Sequence, residues 1–381
     1  MQIEEKKIMF VVPSLEGGGA ERVAANLLKG FIESGIKTVL VLFDKKHNYG
    51  IPDGVNVRYL DIGQNKDTIS TVMKFFLIIF RLAGIIRKEK PFNILSFMDY
   101  TNIVVLLSNM LFLNRARATV SVHTSPTLHL RKYSKNITNS IMSLLIRLLY
   151  NKADLIITVS DFIRDDFIKN FGIDHAKIKT IYNPVDTDKV KVLAEEDVFH
   201  PWFKDNIPII LSAGRLSKEK GFDYLLKAFA VVKGNMNARL MILGEGSERE
   251  NLEHLSQKLG ISENVFFAGF QENPYKYMKR AAIYVLSSLF EGFPNVIAEA
   301  MACGTPVIST MYNPSRHEII EHGENGLLVP IKDENALAGA ILKLLTDVNM
   351  GVRLACEARK KVDELSLGNI MNQYKKVLLD G

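Results

Sequence analysis

Residues 287–310, SSLFEGFPNVIAEAMACGTPVIST, contain the pattern from which the fold of this chain is predicted. The apolar run AIYVLSSL, which overlaps their start, is typical of a buried strand. Pro294 suits a first helical turn, and Gly304 with Pro306 ends that helix before the apolar run VIST. The stretch therefore predicts a strand, one short helix and a second strand.

This unit carries two carboxylates, Glu291 in the loop before the helix and Glu299 inside it. The free N–H groups at a helix start favour phosphate, whereas a carboxylate repels phosphate unless another group lies between them. Sugar hydroxyls are such a group. We therefore predict a nucleotide-sugar site, in which each Glu accepts a hydrogen bond from a hydroxyl; the alternative is two surface charges near the helix ends.

Strand-like and helical segments alternate along the whole chain, which predicts an α/β fold with parallel sheets wrapped by helices. The alternation breaks at residues 181–190 and then restarts. Because 381 residues exceed the size at which one core stops growing, we expect two domains. The predicted domains are residues 1–183 and 184–365, with a C-terminal helix over 366–381 that packs back on the first. Ligands bind at the carboxyl ends of strands in this architecture, so we expect a site in a cleft between the two halves.

Composition describes a globular protein, with 47% hydrophobic and 24% charged residues. The two cysteines, Cys303 and Cys356, show no disulfide framework or metal spacing, which fits a reducing cytoplasm. The N-terminal apolar run is too short for a secretory signal.

Residues 1–185 carry 25 Lys and Arg against 16 Asp and Glu, a net charge of +9. This half is expected to meet an anionic partner: nucleic acid, an anionic bilayer or a phosphorylated acceptor.

The most apolar segment, residues 69–86, is interrupted by Lys74 and Arg81 and followed by more cations, so a full membrane crossing is not expected. Lys74, Arg81 and Lys88 are spaced by seven and share one helical face. One interpretation is a helix that covers the sheet while its cations extend into water. The other is a helix at a membrane surface whose cations hold lipid phosphates.

A second pattern, SAGRLSKEKGFDYLLKAF, places Arg215 and Lys220 on a loop between a strand and a helix. Breaking a bond between sugar and phosphate leaves a nucleoside diphosphate, whose growing negative charge needs fixed positive charge. Arg215 and Lys220 can supply that charge in place of a metal, so no metal or other cofactor is expected. The alternative is a solvated loop. Asp186 and Asp188 lie in the apparent linker and are interpreted as turn residues.

Two further signals lie in the first half. Gly18 and Gly19 follow the first strand and let the backbone approach a phosphate or sugar closely, although their spacing differs from the dinucleotide fingerprint. The alternative there is a tight structural turn. His123 follows a later strand and is expected to orient the donor sugar or transfer a proton, unless it is a satisfied core histidine.

Together, GGGAERV, SVHTS, NPVD, GRLSKEKG, LGEGSERE and EGFPNVIAEAMACGTPVI resemble family 4 of the retaining glycosyltransferases. That resemblance implies the GT-B fold, two Rossmann-like doubly wound domains that face a central cleft. It implies that Glu299 holds the ribose, that Glu291 contacts the donor sugar, and that Arg215 and Lys220 stabilise the leaving diphosphate. It also implies donor contacts for a further set of residues: Gly18, Gly19, Phe270, Phe293, Asn295 and Val296.

GGGAER with SFMDYTN and SVHTS resembles the branch that extends glycans on a polyprenyl diphosphate. There a basic helix grips the acceptor diphosphate, which is the role expected of Lys74, Arg81 and Lys88. The expected function is transfer of a hexose or N-acetylhexosamine from a UDP-sugar to a lipid-linked glycan, at the cytoplasmic face of an anionic membrane. The alternatives are a nucleotide-sugar epimerase or hydrolase, and a non-enzymatic protein that binds an anionic glycan. Nucleic acid is not expected, because basic and aromatic residues do not interleave.

Overall fold

The computed structural model describes residues 6–15, 18–45, 50–61, 68–111, 116–127, 137–313 and 318–380, without the side chains of 68–72 and 137–139. The chain forms two compact units. Unit 1 comprises Met1–Pro184 and Leu367–Gly381, and unit 2 comprises Val185–Ser366.

Unit 1 is built on a seven-stranded parallel sheet with the strand order β3-β2-β1-β4-β5-β6-β7. The strands are β1 (Ile8–Val12), β2 (Thr38–Leu42), β3 (Asn56–Tyr59), β4 (Asn93–Phe97), β5 (Arg117–Val122), β6 (Leu155–Thr158) and β7 (Ile178–Thr180). The helices are α1 (Gly19–Glu33), α2 (Thr68–Glu89), α3 (Asp99–Leu111), α4 (Ile137–Leu149), α5 (Asp161–Phe171) and α13 (Leu367–Leu379).

The central strand β1 is buried on both faces, as its continuous apolar sequence IMFVV predicts. Alternate side chains of a strand point to opposite faces, so β1 contributes to two cores. Phe10 packs with α1 and α13 on one face, where it makes an edge-to-face contact with Phe31. Met9 and Val11 pack with α2 and α3 on the other.

Unit 2 is built on a six-stranded parallel sheet with the order β10-β9-β8-β11-β12-β13. Its strands are β8 (Ile209–Ala213), β9 (Arg239–Leu243), β10 (Val265–Gly269), β11 (Ile283–Leu286), β12 (Val307–Thr310) and β13 (Leu327–Val329). Its helices are α6 (Thr187–Ala194), α7 (Phe222–Asn235), α8 (Arg249–Lys258), α9 (Tyr275–Arg280), α10 (Asn295–Ala302), α11 (Glu334–Thr346) and α12 (Val348–Glu364).

Two parallel sheets with interleaved helices confirm the predicted fold class. The apolar runs that predict strands in the first half form β1 to β6; these runs are KKIMFVVP, TVLVLFD, VNVRYLD, FNILSFM, RATVSVH and ADLIITVS. Strand β7 was missed because its three residues are too few to show a pattern. In the segment predicted to be a linker, Asp186 caps α6 by accepting a 3.0 Å hydrogen bond from the Lys189 amide. Asp186 is therefore a helix cap, and Asp188, which was also interpreted as a turn residue, lies in the first turn of α6.

The C-terminal helix α13 belongs to the core of unit 1, although unit 2 separates the two in sequence. Tyr374 and Leu378 are fully buried among α1 and the sheet residues. The Asn93 side chain also donates a 3.3 Å hydrogen bond to the Leu378 carbonyl. The end of the chain therefore completes one hydrophobic layer of unit 1.

We expect Leu378→Ala to lower the free energy of unfolding of unit 1 by about 2–5 kcal/mol, because the change leaves a cavity in this layer. Urea unfolding followed by far-UV circular dichroism measures this free energy. Gln373→Ala, at an exposed position of the same helix, is the matched control and should change stability little. Equal stability of the two variants would show that α13 contributes no core.

Candidate functional site

The loops that follow β8 and β11 bring the predicted Lys220 and Glu291 into direct contact. Lys220 Nζ lies 2.6 Å from Glu291 Oε1, and the side chains are only 22% and 13% exposed. Ser288 Oγ donates a 2.6 Å hydrogen bond to the same carboxylate oxygen. Because this contact is largely shielded from water, its geometry is fixed more firmly than that of a surface ion pair.

The two loops are fastened to each other through their backbones. The Leu289 amide donates to the Glu219 carbonyl at 2.8 Å, and Ser287 Oγ donates to the Lys220 carbonyl at 2.8 Å. Gly221 has a left-handed backbone with a φ of 61°, and a Cβ atom there would lie 2.3 Å from the Ser287 carbonyl oxygen. Only glycine fits this position, so Gly221 is required for the contact between the loops.

The loop that carries Arg215 also depends on glycine. A Cβ atom on Gly244, at the end of β9, would lie 2.0 Å from the Gly214 carbonyl oxygen. The Lys220 side chain crosses Gly214, since Lys220 Cε lies 3.6 Å from the position of a Cβ there. The exposed Arg215 follows directly. Close backbone packing at the carboxyl ends of β8 and β9 therefore sets both cations on one short loop.

Glu299 lies inside α10 and is 6% exposed, which does not fit the alternative of a surface charge. Burial and then the charge of Glu299 raise the pKa of the Cys303 thiol to about 12, so this cysteine stays protonated. The hydroxyl of Tyr284 lies 3.2 Å from both the amide and the carbonyl of Ala213, the last residue of β8. Burial raises the pKa of Tyr284 above its usual value, and the charges of Glu299 and Glu291 raise it further. One buried tyrosine thus lies near both carboxylates and the end of β8.

The remaining predicted donor residues of unit 2 lie at the start of α10 and after β10. Helix α10 begins at Asn295, whose amide donates a 3.0 Å hydrogen bond to the carbonyl of the buried Phe293. Val296 is half-buried in the first turn. Phe270 follows Gly269 and is 74% exposed. An exposed ring at the carboxyl edge of a sheet can stack on a planar base.

His123 lies at the end of β5 in unit 1 and is held by its neighbours. Its Nε2 lies 3.1 Å from Ser121 Oγ, and its ring lies 5.8 Å from that of Phe97 at the end of β4. Burial lowers the pKa of His123 to about 4. The ring is therefore neutral at pH 7, which suits a hydrogen-bonding role better than that of a fixed cation.

The glycine loop before α1 is closed by a residue that the sequence interpretation did not select. The Gly18 amide donates a 2.9 Å hydrogen bond to Glu21 Oε2, and Ser14 Oγ donates to Glu21 Oε1 at 2.7 Å. Glu21 is 8% exposed. An acid three residues after a helix cap is the signal that predicts this closure. Because a carboxylate already accepts from Gly18, a sugar suits this loop better than a phosphate; the contacts expected of Gly18 and Gly19 stay predictions.

The three cations predicted on α2 have different surroundings. Arg81 Nη1 donates to the carbonyls of Leu60 and Asp61, at 2.6 and 2.9 Å. This side chain therefore fastens α2 to the end of β3. Lys88 is exposed and Lys74 is half-buried. Arg81 is exposed as well, and phosphate binding stays a prediction for all three cations.

Within the described ranges, no three His, Cys, Asp or Glu residues are placed to hold a metal ion together. None of the helices described is both long enough and apolar enough to span a bilayer.

We expect Gly221→Ala to destabilise unit 2 and to weaken nucleotide binding, because the added Cβ meets the Ser287 carbonyl and the left-handed backbone is strained. The strain alone costs about 1–2 kcal/mol. Thermal unfolding and a UDP titration measure the two effects. The matched control is Gly339→Ala in α11, where a Cβ meets nothing within 4 Å. That variant should be as stable as the wild type or slightly more so.

A folded state that disfavours protonated His123 should lose stability on acidification. The pKa of a free histidine is 6.5, and that of folded His123 is about 4. His123 therefore favours folding fully above pH 6.5, and this preference is lost as the pH falls toward 4. We expect His123→Gln to lack this part of the acid sensitivity in urea unfolding. An NMR titration that gives His123 a pKa above 6 would contradict the prediction.

Comparison with known proteins gives a consistent assignment. Residues 194–361 match the family model "Glycosyl transferases group 1", and residues 17–189 match the model "Glycosyltransferase Family 4". The chain is 32% identical over 378 residues, 98% of this chain and 100% of the relative, to a Campylobacter jejuni N-acetylgalactosamine-N,N'-diacetylbacillosaminyl-diphospho-undecaprenol 4-alpha-N-acetylgalactosaminyltransferase. A second protein of that organism, a GalNAc-alpha-(1->4)-GalNAc-alpha-(1->3)-diNAcBac-PP-undecaprenol alpha-1,4-N-acetyl-D-galactosaminyltransferase, is 26% identical over 98% of each chain.

The crystal structure of Anabaena HepE in complex with UDP has the same fold. The TM-score is 0.78 at 22% identity, and the alignment covers 98% of this chain and 100% of HepE. Both parallel sheets of the GT-B fold are therefore present here, as the resemblance implied. With family models that match both halves and a relative 32% identical along its whole length, this chain belongs to glycosyltransferase family 4.

Proposed function

We propose that this protein transfers a hexose or N-acetylhexosamine from a UDP-sugar to a glycan linked to a polyprenyl diphosphate, and that the anomeric configuration of the sugar is retained. The observation that carries the proposal is the contact of Lys220 with Glu291 at the carboxyl edge of the unit 2 sheet. The names of the two Campylobacter relatives support a lipid-linked acceptor, and the UDP in the HepE structure supports the nucleotide.

In this proposal the bond between the sugar C1 and the diphosphate oxygen breaks, and a bond from C1 to an acceptor hydroxyl oxygen forms on the same face. The departing phosphate oxygen takes the proton of that hydroxyl. Lys220 and Arg215 stabilise the charge that develops on the diphosphate. Lys220 Nζ has three donors, so it can contact a phosphate oxygen while one proton stays with Glu291.

Glu291 orients the sugar in this proposal. Lys220 and Ser288 both contact its Oε1. Its other oxygen, Oε2, then accepts a hydrogen bond from a sugar hydroxyl. The neighbouring cation keeps the carboxylate compatible with a diphosphate close by. Lys220 therefore has two tasks, which are to stabilise the leaving group and to balance the charge of Glu291.

Glu299 has a different role, because it lies further inside α10 and is more buried. A carboxylate can accept several hydrogen bonds, and the two ribose hydroxyls of a nucleotide are suitable donors. The exposed Phe270 ring would stack on the base. His123, neutral at pH 7, would exchange a hydrogen bond with the donor sugar. We place the reaction at the cytoplasmic face of the membrane, with the protein bound peripherally.

We expect Lys220→Ala to lower the rate of transfer by about 100-fold or more, the loss typical when one charge-stabilising donor is removed. Mass spectrometry of products measures it, with a panel of UDP- and GDP-sugars and short polyprenyl diphosphate glycans. Lys218→Ala is the matched control, because Lys218 is an exposed cation on the same loop and should be dispensable.

Three outcomes would contradict the proposal. Near-normal turnover of Lys220→Ala would reject the assigned leaving-group site. Release of free sugar without an acceptor would favour a hydrolase. A product whose anomeric proton shows inversion relative to the donor in NMR would exclude retention.

A further inference from the structure

Helix α4 of unit 1 has an apolar outward face, whereas the face that a helix exposes to water is usually polar. Ile141, Leu144 and Leu148 are 53%, 55% and 59% exposed, whereas Ile146 on another face is buried. Positions i, i+3 and i+7 share one helical face. The outward face of α4 is therefore an apolar stripe, and the only described cation on the helix, Arg147, lies beside it.

Helix α2 also exposes apolar side chains on its outward face, within the part of the helix whose side chains are described. Met73, Phe76, Leu77 and Phe80 are 67%, 54%, 42% and 53% exposed. The outward side of the helix continues with Gly84 and the exposed Arg87 and Lys88. An apolar first half is thus followed by a cationic second half.

The two helices belong to one layer on the same side of the sheet. Helix α3 packs against both α2 and α4, and the Tyr100 ring at its start lies 6.0 Å from the Phe75 ring of α2. More than half of the large apolar side chains that are exposed in the described chain lie between residues 73 and 148. In unit 2 such side chains are scattered, as Val192 on α6 and Val352 on α12 illustrate. Concentration in one layer marks a surface that something covers.

The charges of this layer indicate what covers it. The sequences of residues 73–88 and 140–149 contain no Asp or Glu, but they contain Lys74, Arg81, Arg87, Lys88 and Arg147. The acid that follows, Glu89, is 8% exposed and is paired with Lys7 and Arg58 at 3.0 and 2.9 Å. Apolar stripes on two helical segments that carry cations and no acids match the acyl chains and anionic headgroups of one bilayer leaflet.

We infer that the outward faces of α4 and of the first half of α2 insert together into an anionic lipid surface, with Arg87, Lys88 and Arg147 at the headgroups. This inference rests on the proposed function in its choice of partner, and it adds α4 as a membrane contact separate from the cations of α2. Insertion by two helices would hold unit 1 in a fixed orientation on the bilayer, as a single helix would not. A lipid-linked acceptor would then reach the sheet edge of unit 1 from a defined side.

The test is co-sedimentation of the full chain with vesicles of equal parts phosphatidylcholine and phosphatidylglycerol, without any lipid-linked glycan. We expect the wild type to bind, and the double variant Leu144→Glu with Leu148→Glu to bind at least about tenfold more weakly, because charges replace inserted side chains. The matched control is Val192→Glu with Val352→Glu, which places two charges at exposed apolar positions of unit 2. It should bind like the wild type.

Outcomes that overturn the inference are distinct from those that overturn the proposed function. Equal vesicle binding of the α4 variant and the wild type would remove α4 from the membrane contact. A wild-type dimer in sedimentation velocity that the α4 variant abolishes, without vesicle binding by either, would make the surface an interface between two copies. If the wild type binds vesicles through α4 but neither binds UDP nor transfers sugar, the surface stands and the proposed function fails. An α4 variant that transfers sugar normally to a water-soluble acceptor shows that its donor site is intact.

Discussion

The structure of the candidate site depends on backbone contacts that only glycine permits. Gly221 and Gly244 let the loops after β8, β9 and β11 approach until carbonyl oxygens occupy the space of a side chain. Those contacts place Lys220 and Glu291 within 2.6 Å of each other and away from bulk water. A cation and a carboxylate on two separate mobile loops would be screened and would not keep this geometry.

In the proposed function, the paired charges of Lys220 and Glu291 let one site accept both a diphosphate and the hydroxyls of a sugar. A carboxylate alone would repel the phosphates, and a lysine alone would leave the sugar unoriented. With Lys220 beside Glu291 the local charge is balanced before a ligand arrives. The buried Tyr284 supports this arrangement, because its hydroxyl contacts the end of β8. Burial and the charges of Glu299 and Glu291 raise the pKa of that hydroxyl.

Unit 1 differs from unit 2 in what it presents to the outside. Several of its polar side chains are held by neighbours within the unit: Glu21 closes the glycine loop, Ser121 holds His123, and the carbonyls of Leu60 and Asp61 hold Arg81. Its outer helices, in contrast, expose apolar side chains next to cations. In the proposed function, unit 2 carries the donor chemistry and unit 1 faces the acceptor.

The sequence by itself determined the α/β class and the strands β1 to β6, and it predicted the residues of a donor site. Hydrophobic periodicity and the residues that begin or end an element are local signals. Strands β1 to β6 and the helix that carries Glu299 could therefore be predicted from short stretches of sequence. The motif around Glu291 and the KEKG loop were recognisable because glycine, proline and charge stand at fixed spacings. Glu21 carried a usable signal as well, since its spacing from Gly18 is that of a capping box.

Only the tertiary structure decided which charges meet and which faces are exposed. The contact between Lys220 and Glu291 joins residues 71 positions apart, and no local pattern gives that distance. The sequence spacing of Lys74, Arg81 and Lys88 shows a shared face, but it cannot show that Arg81 is occupied by the end of β3. In the same way, the sequence periodicity of α4 does not show which face of the helix is buried. The physical reason is that burial and charge pairing are set by packing between distant segments, whereas propensity and spacing are properties of neighbours along the chain.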